Sequence, residues 1–338
     1  MDFGFNDEQQ EIQRTARDFL SARFTPEKVR ELAESHTYDD SLWREICELG
    51  WPGIAIDEEH GGQGLGMIEL VILCEQLGYA CAPTPFLSNA AAGLMIDAVG
   101  GDEQRERRLA GIASGEARGA AAFTPEESPI VPDAEGAAVL ALPEADGVRL
   151  VEAAGAEIEP LELIDATRAY ARVSANGGDS MPGDPPAGVD RVAVAVAAEL
   201  TGVAQRAMEM AVEYAKEREQ FGRPIGAYQA VSHRCAKMLL DTEEARSLTY
   251  YAGWVADAER DSLPMASAMA KARASDAAWE VTASALQVLG GIGFTWEHDL
   301  QFLLKRARAT GQLWGTSGQY RERIADLVGL AAEEPVAG

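Results

Sequence analysis

The strongest constraint on the fold is a long apolar stripe in the second half of the chain. Seven apolar residues recur there at intervals of three or four, which is the spacing of one face of an α-helix. They are Val192, Val196, Leu200, Val203, Ala207, Ala211 and Tyr214. Further helical patterns follow at 228–258, 264–289, 299–308 and 316–330. Their length and order predict an antiparallel four-helix bundle over residues 189–338.

The two segments before this bundle differ in composition. Residues 1–118 carry helical patterns, predicted at 7–22, 40–49, 67–79, 85–99 and 102–113. Residues 119–188 hold 8 of the 15 prolines and no Trp, and alternating stretches predict strands at 137–142, 148–151 and 170–173. Residues 175–188 are interpreted as a linker. We therefore expect a mainly α fold with a small β domain, divided at 1–118, 119–188 and 189–338.

Composition and charge exclude several classes of function. The 29 basic and 55 acidic residues give a formal net charge of −26, which would repel nucleic acid over most of the surface. No apolar run reaches the roughly 18 residues of a membrane span, and residues 1–13 lack the pattern of a signal peptide. We expect a cytoplasmic protein. Cys47, Cys74, Cys81 and Cys235 show neither metal-ligand spacing nor a disulfide framework.

One motif joins the end of the long helix to the start of the next. Arg218 offers a fork of N–H donors, Phe221 offers an aromatic face, and a helix N-terminus follows near Gln229. These groups suit a phosphate-bearing ligand. A helix hairpin without a ligand is the alternative from the residues alone, with Gly222 ending one helix and Pro224 preventing its continuation.

A second motif, Gln287-Val-Leu-Gly-Gly-Ile-Gly-Phe294, lies where another helix is predicted to end. No strand precedes it and no helix opens from it, so it is not a dinucleotide-binding fingerprint. Helix capping is the simpler interpretation. Backbone without side chains at Gly290 and Gly291 would also let a pyrophosphate approach closely.

These motifs together resemble the acyl-CoA dehydrogenase family over nearly the whole chain. The resemblance rests on residues 48–56 with 60–66, 218–225, 287–293 and 315–317, in the family's order. It implies a helical N-terminal domain, a middle β domain and a C-terminal four-helix bundle, assembled as a dimer of dimers with FAD between subunits. The positions that hold the ADP half of FAD correspond to Arg218, Phe221, Gln229, Gln287, Gly290 and Gly291, and Gln220 and Thr316 are expected to bind the cofactor as well.

The catalytic base of the family is missing from this sequence. The reaction needs a carboxylate to remove the α-proton of the thioester, and many relatives place a Glu immediately before the Gly-Thr of the last motif. Trp314 stands there instead, and its indole cannot accept a proton. Other members place the Glu early in the first bundle helix, where this chain has Val192 and Ala193. Asp190 is the nearest substitute, two residues upstream, although a solvated helix N-cap is a simpler role for it.

The middle domain is also reduced. It is shorter than the family norm and has no counterpart of the Trp-bearing strand that packs on the flavin ring, and 124–128 keep only a trace of the flavin-contact segment. The chain resembles one subunit of the heterotetrameric (α2β2) acyl-CoA dehydrogenases of actinobacterial steroid side-chain breakdown. That resemblance implies a homologous partner with the Glu, a bulky acyl-CoA substrate, and an acceptor such as an electron-transfer flavoprotein. A homomeric enzyme using Asp190 or Glu199, and a flavin-free scaffold, remain the alternatives.

Overall fold

The structure is a computed structural model, and it describes residues 4–330. Most of this part of the chain is helical. The helices are α1 Asp7–Arg23, α2 Pro26–Ser35, α3 Asp40–Glu48, α4 Met67–Tyr79, α5 Phe86–Val99, α6 Asp102–Ser114, α7 Pro185–Glu217, α8 Gln229–Ala258, α9 Leu263–Leu289, α10 Leu300–Thr310 and α11 Ser317–Leu327. The mainly α fold with a small β portion is therefore confirmed.

Helix α2 has no counterpart among the predicted helices. It begins after Thr25, whose side chain accepts a hydrogen bond from the backbone N–H of Lys28, and Pro26 occupies its first turn. Both residues are standard helix-start signals. These start signals, with Val29, Leu32 and Ala33 on the buried face, were the available evidence for this helix in the sequence.

Helix α7 is the central element of the molecule. It packs against α8 and α9 of the bundle and, on its other side, against α4 and α5. All seven residues of the predicted stripe except Tyr214 are buried, and so are the residues between Val192 and Ala204 on the other faces. A helix enclosed on all sides carries apolar and small residues around its whole circumference. Helices α10 and α11 complete the bundle by packing against α9.

The middle segment folds into two small sheets. The strands are β1 Gly119–Ala121, β2 Ile130–Pro132, β3 Val139–Glu144, β4 Gly147–Glu152, β5 Ala156–Leu161, β6 Tyr170–Ala175 and β7 Asp179–Met181. One sheet has the order β1-β3-β4-β7 and the other the order β2-β6-β5. Strands β1 and β3 are parallel, and the other pairs in these sheets are antiparallel.

The prediction of a linker at residues 175–188 is wrong. Strand β7 pairs there with β4, and α7 already begins at Pro185. A three-residue edge strand is too short to show alternation, and Pro185 and Pro186 belong to the first turn of a helix, where proline is tolerated. These two prolines therefore mark a helix start instead of a flexible connection.

A buried network of ion pairs joins the middle segment to the bundle. Arg306 on α10 donates to Asp165 at 2.8 Å and to Glu199 on α7 at 2.9 Å. Arg168 donates to the same Glu199 at 2.6 Å. All four side chains are almost completely buried, and partners are needed because an isolated buried charge is strongly destabilising. The network holds the middle segment against α7 and α10.

Three further findings concern the described residues. None of their helices combines the length and apolar character that a membrane span requires. No group of three or more His, Cys, Asp or Glu side chains within residues 4–330 is placed to hold a metal ion. The four cysteines are free thiols, and burial raises the pKa of Cys47 and Cys81 to about 11.

Candidate functional site

Three helix ends meet at one end of the bundle. Helices α7, α8 and α9 follow one another with short connections and pack against each other, so the C-terminus of α7, the N-terminus of α8 and the C-terminus of α9 share that end. The residues there are called the bundle-end cluster. It consists of Arg218, Gln220, Phe221, Gln229, Gln287, Gly290 and Gly291. The fold therefore brings together two motifs that lie about 60 residues apart in the sequence.

The first motif forms a tight hairpin after α7. Residues 219–220 pair with 223–224 as two short antiparallel strands, β8 and β9. Phe221 sits at the tip with φ of +53°, in the left-handed region, and its side chain is 93 % exposed. The Tyr228 hydroxyl donates to the carbonyl oxygen of Gln220 at 2.9 Å and closes the hairpin. The turn thus presents an aromatic ring to the outside, although exposure of a Phe is unfavourable in water.

The Arg218 side chain is free to bind a ligand. The residue is exposed, and its backbone is fixed because its carbonyl oxygen accepts a hydrogen bond from Ile225 at 2.7 Å. No carboxylate among residues 4–330 forms an ion pair with its guanidinium. Five N–H donors on an unpaired Arg suit the oxygens of a phosphate group.

Two further features around Arg218 favour an anion. Helix α8 starts at Gln229 without a side-chain cap, which leaves backbone N–H groups at its N-terminus available. Gly290 has φ of +63°, and a Cβ added at Gly290 or Gly291 would meet no atom within 4 Å. The backbone of the second motif is therefore open to close approach.

The bundle-end cluster fits the ADP half of FAD. An unpaired guanidinium, an uncapped helix N-terminus and bare glycine backbone match a diphosphate, and an exposed aromatic ring matches a flat heterocycle. Six of the seven residues of the cluster are exposed, and Gly290 is partly exposed. A ligand held by them would therefore remain open to solvent on its other side.

The other candidate residues lie far from this cluster. The turn of residues 311–316, called the Trp314 turn, contacts Lys271 on α9, because Lys271 Nζ donates to Gly315 O at 2.8 Å. Gln287 lies roughly 24 Å further along the same helix, at about 1.5 Å of rise per residue. Thr316 caps α11 and accepts a hydrogen bond from the Gln319 N–H. The structure thus does not place Thr316 in the bundle-end cluster.

A cavity of about 410 Å³ separates the Trp314 turn from the middle segment. It is lined on one side by Phe123 and Thr124 and on the other by Leu313 and Trp314. The Trp314 indole is 4 % exposed, and its ring centroid lies 5.7 Å from that of Phe123. The remnant of the flavin-contact segment and the position of the missing base therefore line the same cavity.

Asp190 is not placed to act as a base. It lies inside α7 and is only 2 % exposed, so the solvated N-cap expected for it is wrong. Its carboxylate accepts hydrogen bonds from the Ser267 hydroxyl at 2.8 Å and from two nitrogens of the Arg323 guanidinium, one of them at 2.9 Å. The N-cap prediction was wrong because the helix starts at Pro185, about one and a half turns before Asp190.

Glu199 is also committed to structural partners. Burial would raise the pKa of its carboxyl, but the guanidiniums of Arg168 and Arg306 outweigh burial and hold the pKa below its ordinary value. Thr310 donates a further hydrogen bond at 3.3 Å. A general base for this chemistry needs a pKa raised toward neutrality, so Glu199 has the opposite electrostatic environment.

Comparisons with known proteins decide the family. The model for the N-terminal domain of acyl-CoA dehydrogenases matches residues 6–116, and the model for the C-terminal domain matches residues 188–329. Acyl-CoA dehydrogenase IpdE2 of Mycolicibacterium smegmatis is 34 % identical over 94 % of this chain and 98 % of its own length. The chain belongs to the acyl-CoA dehydrogenase family. This family of oxidoreductases is FAD-dependent.

Solved structures agree with this assignment. A variant of the Tcur3481–Tcur3483 steroid ACAD has a TM-score of 0.87 with 27 % identity and covers 96 % of this chain and 98 % of its own. The ChsE4–ChsE5 complex of Mycobacterium tuberculosis has a TM-score of 0.89 with 24 % identity, over 98 % of this chain and all of the other. The second likeness concerns the fold alone.

Several important residues escaped the sequence analysis. Arg168, Arg306 and Lys271 are almost fully buried, yet each stands in a stretch that looks like an ordinary charged helix or loop. Apart from Ser275, which is four residues from Lys271, their hydrogen-bond partners lie 31 to 142 residues away along the chain. A basic residue inside an otherwise apolar helix face, as Lys271 is among the alanines of α9, was the one available signal.

Proposed function

We propose that this chain is a subunit of a heteromeric, FAD-dependent acyl-CoA dehydrogenase. It contributes the wall that holds the ADP half of FAD, and a homologous partner supplies the flavin platform and the catalytic Glu. The observation that carries the proposal is the contrast between two places in the fold. The bundle-end cluster retains open, unpartnered groups for a diphosphate, whereas a buried Trp314 fills the position of the base.

The absence of a suitable base supports the need for a partner. Among the described residues that line the cavity beside Trp314, Glu126 is the one carboxylate, and it lies exposed on the loop after β1. Asp190 and Glu199 are held by arginines. A homomeric enzyme would need one of these groups to remove the α-proton, so this alternative has no carboxylate in a suitable environment.

The proposed reaction is α,β-desaturation of an acyl-CoA. FAD, when bound, accepts the hydride from the β-carbon of the thioester. The residues of this chain bind and orient it: Arg218 neutralises phosphate charge, the N-terminus of α8 offers backbone N–H groups, and Phe221 covers an aromatic face. The α-proton goes to the partner's carboxylate, and this chain alone is expected to be inactive.

We further propose a bulky acyl group, possessing steroid-derived rings, as the substrate class. The support is the 27 % identity to a steroid ACAD over nearly the whole length of both chains. We expect an external acceptor such as an electron-transfer flavoprotein to reoxidise the flavin. Neither proposal rests on a residue of this chain.

Arg218 distinguishes the half-site from a flavin-free scaffold. In the complex with the homologous partner, Arg218→Ala removes charge-assisted hydrogen bonds of about 1.5–3 kcal/mol, so the Kd for FAD should rise about 10- to 100-fold. The measurement is titration of the flavin-stripped complex with FAD, followed by fluorescence.

Arg260→Ala is the matched control for this experiment. Arg260 is also exposed and forms no ion pair with a carboxylate of residues 4–330, but it lies between α8 and α9 at the opposite end of the bundle. Its replacement should leave FAD affinity unchanged. Equal affinities for the Arg218→Ala and Arg260→Ala complexes would support the scaffold and refute the half-site.

A further inference from the structure

A buried lysine lies directly beneath the Trp314 turn. Lys271 is 0 % exposed, and no carboxylate among residues 4–330 forms an ion pair with it. Its ammonium donates to Ser275 Oγ at 3.1 Å, to Gly311 O at 3.2 Å and to Gly315 O at 2.8 Å. Three donors thus meet three acceptors, whereas a neutral amine has one donor fewer. The charged form is matched to this place, although its burial is unfavourable.

A second contact fixes the same turn from α11. The Tyr320 hydroxyl donates to the carbonyl oxygen of Trp314 at 2.7 Å, and Tyr320 is itself buried. Lys271 Nζ lies 5.5 Å from the centroid of the Tyr320 ring, so the ammonium and the aromatic ring form a cation–π interaction. The turn is therefore held at three carbonyl oxygens, those of Gly311, Trp314 and Gly315.

The held conformation is an unfavourable one for tryptophan. Trp314 has φ of +58°, in the left-handed region that bulky residues rarely adopt. Gly315 follows with φ of +95°, and a Cβ there would lie 2.9 Å from the Tyr320 ring and 3.3 Å from the Phe123 ring. Strain of this kind persists where surrounding contacts over-determine the conformation. Lys271 and Tyr320 supply those contacts.

We propose that Lys271 is a positioning residue that locks the Trp314 turn, so that the indole forms a fixed wall of the cavity beside Phe123. The lock depends on neither FAD nor a partner subunit. Its consequence in the heteromer, removal of the α-proton in the partner's cleft alone, rests on the proposed function. A failure of the lock would therefore leave the half-site proposal untouched.

Lys271→Met tests the lock, because it keeps the length of the stem and removes all three donors. The readout is acrylamide quenching of the Trp314 fluorescence in the full chain. The emission of Trp314 is obtained by subtracting the emission of a Trp314→Phe variant, which is made once in the wild-type chain and once in the Lys271→Met chain. We expect the Stern–Volmer constant of Trp314 to rise at least about threefold. Lys237→Met, which replaces an exposed lysine of α8, should leave it unchanged. A Trp314 signal that stays as protected as in the wild type overturns the proposal.

A measurement on the wild-type chain covers the case in which Lys271→Met does not fold. Burial lowers the pKa of Lys271 to about 7, so the ammonium loses a proton, and one donor, between pH 6 and 9. Two titratable groups lie near the Lys271 ammonium, Asp276 on α9 and Tyr320 on α11. Tyr320 in turn lies near the Asp190–Arg323 ion pair. Burial raises the pKa of Tyr320 well above this range. The Stern–Volmer constant of Trp314 should therefore increase as the pH rises. A constant that does not change with pH contradicts the lock.

Discussion

Buried carboxylates in this chain are held by arginines, and this pairing determines their chemical role. Asp190 is bound by Arg323 and Ser267, and Glu199 is bound by Arg168 and Arg306. The two guanidiniums hold the pKa of Glu199 below its ordinary value, and the carboxylate oxygens of Asp190 are occupied by the donors of Ser267 and Arg323. At the residue scale, both acids therefore serve the fold.

Asp190→Asn should lower stability and leave chemistry intact. The amide removes the negative charge opposite the partly exposed Arg323, so we expect the free energy of unfolding to fall by about 1–3 kcal/mol. Urea unfolding of the purified chain measures the change. Glu11→Gln, at the exposed pair with Arg14, is the control and should change stability by less than about 1 kcal/mol. A loss of turnover in a normally stable Asp190→Asn heteromer would make Asp190 the base.

At the scale of elements, the spacing of apolar residues predicted some helices well, whereas other features depend on contacts between residues that are distant in the sequence. The α7 stripe was predictable because one apolar face repeats over six turns. Strand β7 was not, because three residues are too short for a pattern to exceed chance. Helix α2 was missed although Thr25 and Pro26 mark its start. The bundle-end cluster was predictable because each half is a continuous motif. The Arg306 network was not, since it joins residues 107 and 141 positions apart.

The contact between α4 and α7 leaves no room for a side chain at Gly202. A Cβ on Gly202 would overlap the carbonyl oxygen of Glu75 and lie 2.6 Å from the backbone nitrogen of Tyr79. Backbone atoms of a packed helix cannot move aside easily, so Gly202→Ala should lower the free energy of unfolding by about 2–3 kcal/mol. Thermal or urea unfolding measures the loss.

Gly155→Ala is the control for this prediction. A Cβ at Gly155 would meet no atom within 4 Å, so its replacement should change stability by no more than about 0.5 kcal/mol. If Gly202→Ala is as stable as Gly155→Ala, the helices α4 and α7 do not approach as closely as described.

At the scale of the whole molecule, the chain presents an exposed cluster at one end of the bundle and a cavity lined by Trp314 at another place. In the account proposed above, the bundle-end cluster binds the diphosphate of FAD and a partner subunit covers its other side. The Trp314 turn, at the other place where the family does its chemistry, is packed against Phe123 and held by Lys271. The exposed bundle-end cluster and the buried Trp314 are both explained if FAD binds between this chain and a homologous subunit that carries the carboxylate.

Flavin content tests this account most directly. The measurement is visible absorbance of bound FAD per mole of chain, for this protein purified alone and after co-expression with a homologous acyl-CoA dehydrogenase subunit that carries the catalytic Glu. A cofactor that needs two subunits binds the assembled state alone, so we predict a colourless single chain and about one FAD per heterodimer. A fully yellow single chain would mean that it builds a complete flavin site, and the half-site account would be wrong.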